Sequence, residues 1–355
     1  MQPSQKTILV APLNWGLGHA TRCIPLITEL LCKGFKVLVA SDGASLALLK
    51  LEFPELPCIE LPSYNIKYPK NARWLKWRML FNLSHIRKTI RSETKLVAQL
   101  VAKGQIDGII SDNRFGIRND EIPSAFITHQ LNVVSGSTSM LSSLMHQKII
   151  KKFDACWVPD VEDRIYNISG KLGHLKNSRF PVEYIGPLSR MKPQNIPKKY
   201  DVLALISGPE PQRTQLEELL KVVFFKTELK VVMVCGNVEK EERWKQLENI
   251  TIVNFLKSDN LEQVFNQSEI VVCRSGYSTI MDLVALEKNA FFIPTPGQYE
   301  QEYLAKRLKH LGIVPCCKQN EFTVEKLNQT PLYKGLKAIH FQQDYNALFS
   351  FFQSK

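Results

Sequence analysis

Short apolar runs punctuate the chain and are separated by amphipathic stretches. The runs are Thr7–Ala11, Lys36–Ala40, Gly108–Ser111, Ala125–Thr128, Val202–Ile206, Lys230–Cys235, Ile250–Phe255, Ile270–Cys273 and Ala290–Pro294. Most are rich in Val and Ile and end at small, glycine or polar residues. Continuous apolarity over four to six residues predicts strands covered on both faces, and their alternation with helical patterns predicts parallel sheets. The first helix is expected from about Ala20 to Lys33, stopping at Gly34.

The pattern starts afresh in mid-chain. Ile185-Gly186-Pro187 through Pro193 to Pro197-Lys198-Lys199 has prolines and little periodicity, and reads as a linker. A new strand follows at Asp201–Ile206. Each half then opens on a strand, a small-residue turn and a helix. The turn is Asn14-Trp15-Gly16-Leu17-Gly18-His19 in the first half and Ser207-Gly208-Pro209-Glu210-Pro211 in the second. The simplest architecture is α/β, with two Rossmann-like domains whose parallel sheets face one another across a cleft. The expected boundaries are 1–192 and 200–335, with 336–355 a C-terminal helix packing back on the first domain. Tyr345, Leu348, Phe349 and Phe352 give that tail a helical apolar face.

Composition narrows the class. A length of 355 residues fits two domains, and a hydrophobic share of 44% is ordinary for packed cores. No run approaches the roughly 20 apolar residues that span a bilayer. The N-terminus enters a strand without a signal pattern, and the eight cysteines are scattered without CxxC spacing. Free buried thiols in a reducing cytoplasm are the expected setting. The formal charge of +12 favours a polyanionic partner: nucleic acid, anionic lipid or a phosphorylated ligand.

Candidate chemistry collects at strand ends, where ligands gather in open α/β sheets. Gly16-Leu17-Gly18-His19 follows the first strand. Glycine lets a ligand approach the backbone, and a helix N-terminus favours an anion. His19 at the helix start suits a general base, or caps and packs the helix. Asp112 and His129-Gln130 end two further strands, and Asp112 alternatively caps a loop.

The second half holds the richer block. Arg274-Ser275-Gly276, Ser278 and Thr279 offer N–H groups and hydroxyls at a helix start, which suits a diphosphate. Asp282 lies one turn beyond Ser278 and is placed to accept from ribose hydroxyls, or to oppose the helix dipole. Gln298, Glu300, Gln301 and Glu302 crowd a second helix start; several acceptors there suit a sugar, or a solvated helix end. No HExxH, paired CxxC, Asp-X-Asp or P-loop lysine pattern is present, so no metal site is expected.

One segment stands apart. Between Lys67 and Lys95, basic residues including Arg73 and Lys76 interleave with Trp74, Trp77 and Phe81, which share a helical face. A basic helix with tryptophans reads as a surface helix touching anionic lipid, or as a helix with its apolar face in the core. Nucleic acid uses similar chemistry, but the basic stretch is local and the late block has no role there, so nucleic acid is not expected as a partner.

Gly16-Leu17-Gly18-His19, then Arg274-Ser275-Gly276 to Asp282, then the Gln301 loop together resemble the MurG-type glycosyltransferases of the GT-B fold. Thr128-His129-Gln130-Leu131-Asn132 is similar to their His-Glu-Gln-Asn stretch. Asn254-Phe255-Leu256 resembles the segment whose backbone holds uracil. The likeness covers nearly the whole chain and is nearest a branch with unassigned acceptors, in which Ser207–Arg213 replaces a second glycine loop.

The resemblance implies a UDP-sugar donor in the second domain and an acceptor, glycan or lipid-linked, in the first. It implies an inverting, metal-independent reaction with no cofactor beyond the donor, at a cell-envelope membrane reached from the cytoplasm. It gives the diphosphate region to Arg274, Ser275, Gly276 and Thr279, the ribose hydroxyls to Asp282 and the donor sugar to Gln301 and Glu302. The other donor candidates are Gly18, Ser207, Gly208, Arg213, Phe255, Leu256, Ser278 and Gln298, and the acceptor candidates are Asp112, His129 and Gln130. The resemblance puts His19 near the reacting hydroxyl, where it suits the base; the basic, tryptophan-bearing pattern makes Arg73, Trp74, Lys76, Trp77 and Phe81 the candidate membrane contacts. Asp282 is shorter than the family's usual glutamate, and Glu302 stands where a second glutamine is common, so the sugar is left open. A sugar-nucleotide epimerase and a non-catalytic nucleotide-sugar or lipid-binding protein are the alternative readings.

Overall fold

The computed structural model describes residues 5–65, 83–133, 139–178, 180–237, 239 and 241–353. Arg73, Trp74, Lys76, Trp77 and Phe81 lie outside the described residues. The chain forms two compact units. The first comprises Met1–Glu162, Lys171–Ser189 and Phe341–Lys355, and the second Asp163–Gly170 and Arg190–His340.

In the first unit the strands are β1 (Thr7–Pro12), β2 (Lys36–Ser41), β3 (Cys58–Glu60), β4 (Gly108–Asp112), β5 (Ser124–Ile127), β6 (Ala155–Val158) and β7 (Val182–Tyr184). They pair in the order β3-β2-β1-β4-β5-β6-β7, parallel throughout. Among the described residues the unit's helices are α1 (Gly18–Cys32), α2 (Gly43–Glu52), α3 (Leu83–Ala102) and α4 (Ser139–Ile150). The chain winds one way through β2 and β3 and the other way from β4, so it diverges between β1 and β4. Loops leaving those two strands at their carboxyl ends open a crevice. The register sets Pro12 beside Asp112 at its floor.

Helix α1 begins two residues before the expected start and is capped at Lys33, with Gly34 at φ +80°. Its inner face buries Ala20, Cys23, Ile24, Leu26, Ile27 and Leu30, each large aliphatic contributing roughly 1.5–3 kcal/mol. Arg22 is buried on the same helix, at 3% exposure. The tail folds as α9 (Tyr345–Ser350) within this unit. Phe349 and Phe352 meet Phe35 edge-on at 6.1 and 6.4 Å, and Phe352 meets Trp157 at 5.9 Å. A Cβ at Gly108 would stand 2.4 Å from the Phe352 ring, so only glycine leaves room for that contact.

The second unit has β8 (Tyr200–Leu205), β9 (Val231–Val234), β10 (Trp244–Leu247), β11 (Ile250–Val253), β12 (Ser268–Cys273) and β13 (Asn289–Phe292). The order is β10-β11-β9-β8-β12-β13, parallel except for the β10–β11 hairpin. Four helices accompany them: α5 (Gln212–Phe224), α6 (Ser258–Asn266), α7 (Tyr277–Ala285) and α8 (Tyr299–His310). Here the chain diverges between β8 and β12, where Leu205 pairs with Cys273. The core beneath is apolar: Val202, Ala204, Val231, Met233, Val272 and Phe291 are each at most 1% exposed.

Candidate functional site

The crevice of the first unit is built around a carboxylate. Asp112 ends β4 with no exposed surface. Arg22, one turn along α1 from His19, forks onto it: Nε donates to Oδ2 at 2.6 Å and Nη2 donates to Oδ1. His19 Nδ1 lies 2.9 Å from Oδ1, and the Asn113 amide adds a bond of 3.1 Å. On its other side Arg22 Nη1 reaches His129 Nδ1 at 3.2 Å. One buried guanidinium thus touches residues from β4, from α1 and from the loop after β5.

These charges set the titrations. Burial alone would raise the Asp112 carboxyl, but the Arg22 and His19 charges and hydrogen bonds hold it well below the usual carboxylate range. Burial keeps the His19 imidazole below its ordinary 6.5; the pull of Asp112 opposes this, and the Arg22 charge reinforces it. His19 keeps 13% of its side chain exposed and is therefore reachable. A neutral imidazole oriented by a carboxylate, at a strand-end crevice, is the equipment of a general base.

Two expectations change here. Asp112 does not contact an acceptor, because it is wholly enclosed; it orients His19 instead. Arg22 had been passed over, although an arginine within an otherwise apolar helix face is a signal that it has a buried partner. Gln130 is half-buried with its N–H on Thr128 Oγ1 at 3.1 Å, beside His129 at the crevice.

In the second unit Ser207, Gly208, Arg274, Ser275 and Gly276 follow the adjacent strands β8 and β12. Gly208 is at φ +115°, a region closed to other residues, and a side chain there would point toward Thr295 Oγ1. Gly276 opens α7, with Ser278 and Thr279 half-buried in its first turn and Asp282 half-buried one turn later. Phe255 and Leu256 follow β11 and are each 8% exposed. Thr295 Oγ1 and Gln298 Oε1 are buried without a hydrogen-bond partner among the described residues. Unsatisfied buried oxygens are costly and rare.

The arginines behave differently from the diphosphate ligands expected. Arg274 is fully buried. Its guanidinium donates to the carbonyls of Ile293, Pro294 and Gln212 at 3.0, 3.2 and 3.0 Å, and to Gln319 Oε1 at 2.8 Å. Burial pushes it down to about 10. Arg274 therefore ties β13 and α5 together through its two terminal nitrogens, while its Nε is buried without a hydrogen-bond partner among the described residues. Ser275 is equally enclosed, with its hydroxyl on the Gln301 carbonyl at 2.8 Å. Arg213 is engaged by Glu210, Glu217 and the Cys235 carbonyl at 2.6, 2.9 and 3.0 Å. Helix N-termini, glycine backbone and hydroxyls supply anion-binding capacity at this crevice.

Gln301 and Glu302 brace the loop before α8. Gln301 Oε1 accepts from Thr295 N at 2.8 Å and Glu302 Oε1 from Gly297 N at 2.9 Å. A cavity of about 530 Å³ lies elsewhere, lined by Tyr200, Trp244, Gln246 and Thr251 near the amino ends of β8 and β11, away from the strand-end chemistry. Among the described residues no three His, Cys, Asp or Glu side chains are grouped to hold a metal ion, and no helix is long and apolar enough to cross a membrane.

Comparison with known proteins agrees with this architecture. Residues 204–348 match the glycosyltransferase family 28 C-terminal domain. Crystal structures of Acinetobacter baumannii MurG (TM-score 0.58, 16% identity, 99% of this chain and 100% of that one) and of a Polygonum tinctorium UDP-glucosyltransferase complex (TM-score 0.64, 12% identity, 99% and 93%) share the fold. The fold is that of the GT-B glycosyltransferases. The residues matched to the family 28 C-terminal domain lie mostly in the second unit and run on into the tail.

Full-length relatives are distant. An uncharacterized glycosyltransferase of Methanosarcina mazei is 24% identical over 330 residues, 86% of this chain and 84% of that protein. A UDP-N-acetylglucosamine--N-acetylmuramyl-(pentapeptide) pyrophosphoryl-undecaprenol N-acetylglucosamine transferase of Haemophilus ducreyi is 21% identical over 207 residues, 57% of this chain and 55% of that protein. The matching enzyme of a Sulfurihydrogenibium species is covered over only 38% of its length. The chain thus spans about half or less of the transferases it matches by that name.

Proposed function

We propose that the protein transfers a sugar, N-acetylglucosamine in the first instance, from its UDP-activated form to a hydroxyl of a lipid-linked acceptor. The observation that carries this reading is where the family 28 match falls: on the unit whose β8/β12 crevice offers glycine backbone, helix N-termini and unsatisfied oxygens. The names of the partial relatives support the donor and the lipid carrier.

In this reading the acceptor O–H gives its proton to His19 Nε2. The oxygen attacks the anomeric carbon, the glycosidic C–O bond to the diphosphate breaks, and UDP leaves with the electron pair. Configuration inverts. The N-termini of α5 and α7, with Ser278 and Thr279, stabilise the charge growing on the leaving diphosphate. Asp282 takes ribose hydroxyls; Gln298, Gln301 and Glu302 lie toward the sugar.

Attachment to an anionic membrane surface is part of the proposal. Arg87, Lys88, Arg91 and Lys95 are exposed along α3, and α4 presents Met140, Leu141, Leu144 and Met145, with Met140 79% exposed. Exposed basic side chains on one helix and exposed apolar side chains on another of the same unit are the two chemistries that an anionic lipid surface engages.

A thermal-shift screen across UDP-, GDP- and dTDP-sugars tests the donor. A rise with UDP-sugars, followed by label transfer into a lipid extract, is expected. Stabilisation by non-nucleotide ligands alone would overturn the reading.

A further inference from the structure

We infer that the Arg22–Asp112 pair gives the two crevice histidines opposite tautomers, making His19 a proton acceptor and His129 a hydrogen-bond donor. Arg22 is then a positioning residue acting through both rings. The inference deepens the proposed reaction and rests on His19 as its base.

The argument starts from what each atom can do. Asp112 is ionised and accepts only. With Oδ1 at 2.9 Å, a bare His19 Nδ1 would set two lone pairs face to face in a buried site. The Nδ1 proton therefore points to Asp112. Arg22 Nη2 lies 2.7 Å from the same nitrogen and points one of its two N–H groups at Asp112 Oδ1; between a carboxylate that can only accept and a guanidinium already bonded to it, the carboxylate decides where the imidazole proton sits. His19 Nε2 is left with a lone pair. At His129 the neighbour is reversed: Arg22 Nη1 only donates, 3.2 Å from Nδ1, so that nitrogen accepts and the proton sits on Nε2.

The fork has a second consequence. A lone carboxylate beside a histidine favours the imidazolium form. Here Arg22 neutralises Asp112 through two bonds, so the carboxylate orients His19 without making it a cation. The charged or titratable groups facing His19 are Asp112 from β4, Arg22 from α1 and His129 from the loop after β5; the Cys23 thiol faces Asp112 at 3.8 Å.

Long-range ¹H–¹⁵N correlation spectra of the full chain test this without substrate, with His19→Gln and His129→Gln giving the assignments. The expected result at pH 7.5 is an unprotonated Nε2 in His19 and an unprotonated Nδ1 in His129. The same tautomer in both rings would overturn the inference, whatever becomes of the UDP-sugar reading. Arg22→Gln should raise the His19 titration midpoint by about one pH unit, because a cation is lost and Asp112 is left uncompensated. Arg22→Lys, which keeps the charge and is the variant to use should the first not fold, should hold the midpoint within about half that shift while losing the single tautomer at His129. A His129 tautomer unchanged in Arg22→Lys would also overturn it. Once a substrate is in hand, the acid limb of kcat/KM should move upward with the midpoint.

Discussion

Each unit has a sheet that diverges beside its first strand, yet the two crevices are built on opposite principles. At the β1/β4 divergence, charge is concentrated: Arg22, Asp112, His19 and His129 form a connected, buried set. At the β8/β12 divergence, charge has been withdrawn: Arg274 and Arg213 are bonded to their own unit, leaving hydroxyls, glycines and helix ends. A fixed cation beside a proton acceptor tunes chemistry. A crevice of dipoles and hydroxyls binds an anionic ligand and lets it leave. In the proposed reaction the same strand-end position serves chemistry in one unit and recognition in the other.

The contrast can be broken most sharply at its charged end. His19→Ala should lower kcat by roughly 10²–10⁴-fold while the thermal shift with UDP-sugars stays intact. Full turnover in that variant would remove His19 as the base. Arg274→Met comes next, and its effect should fall on stability. Stranding buried carbonyls of Ile293, Pro294 and Gln212 should cost about 2–4 kcal/mol in urea unfolding, with donor affinity in the folded fraction unchanged. A loss of affinity without a loss of stability would instead make Arg274 a ligand.

Thr295→Val sharpens the other side. Its hydroxyl is buried without a partner, so removing it should leave stability equal or slightly higher while donor affinity falls about tenfold. Isothermal titration with UDP reads the second effect, and unaltered affinity would take Thr295 out of the site.

The smallest expected effect is on pH dependence. Burial lowers both His19 and His146, the latter to about 4. Above pH 6.5 both are neutral, folded or unfolded. As pH falls from 6.5 toward about 4, the unfolded chain takes up protons that the folded chain refuses, so stability should decline across that window. Urea midpoints measured through it should fall less steeply in His146→Gln.

Much of the fold was legible because strand signals are local. All nine apolar runs became strands, within two residues at most ends. The strands without such a signal, β3, β6, β7 and β10, are three or four residues long. Three of them sit at sheet edges, where pairing with one neighbour rather than an apolar run decides the conformation. The positions of His19, Asp112 and the Arg274 turn at strand ends were equally legible, since topology places them there.

What those residues do was less so. Arg274 and Arg213 have the composition of phosphate ligands, and a formal charge carries no record of how far a guanidinium is buried. Arg22 and Asp112 stand 90 positions apart, and neither reveals the other in the primary structure. The strand–helix rhythm, the two starts and the strand-end chemistry follow from nearest-neighbour patterns in the amino-acid sequence alone. Which cations face a ligand, which brace the fold, and which proton each histidine holds depend on contacts between segments far apart in the chain. Only the tertiary structure decided those, because desolvation and hydrogen-bond geometry exist only once the segments meet.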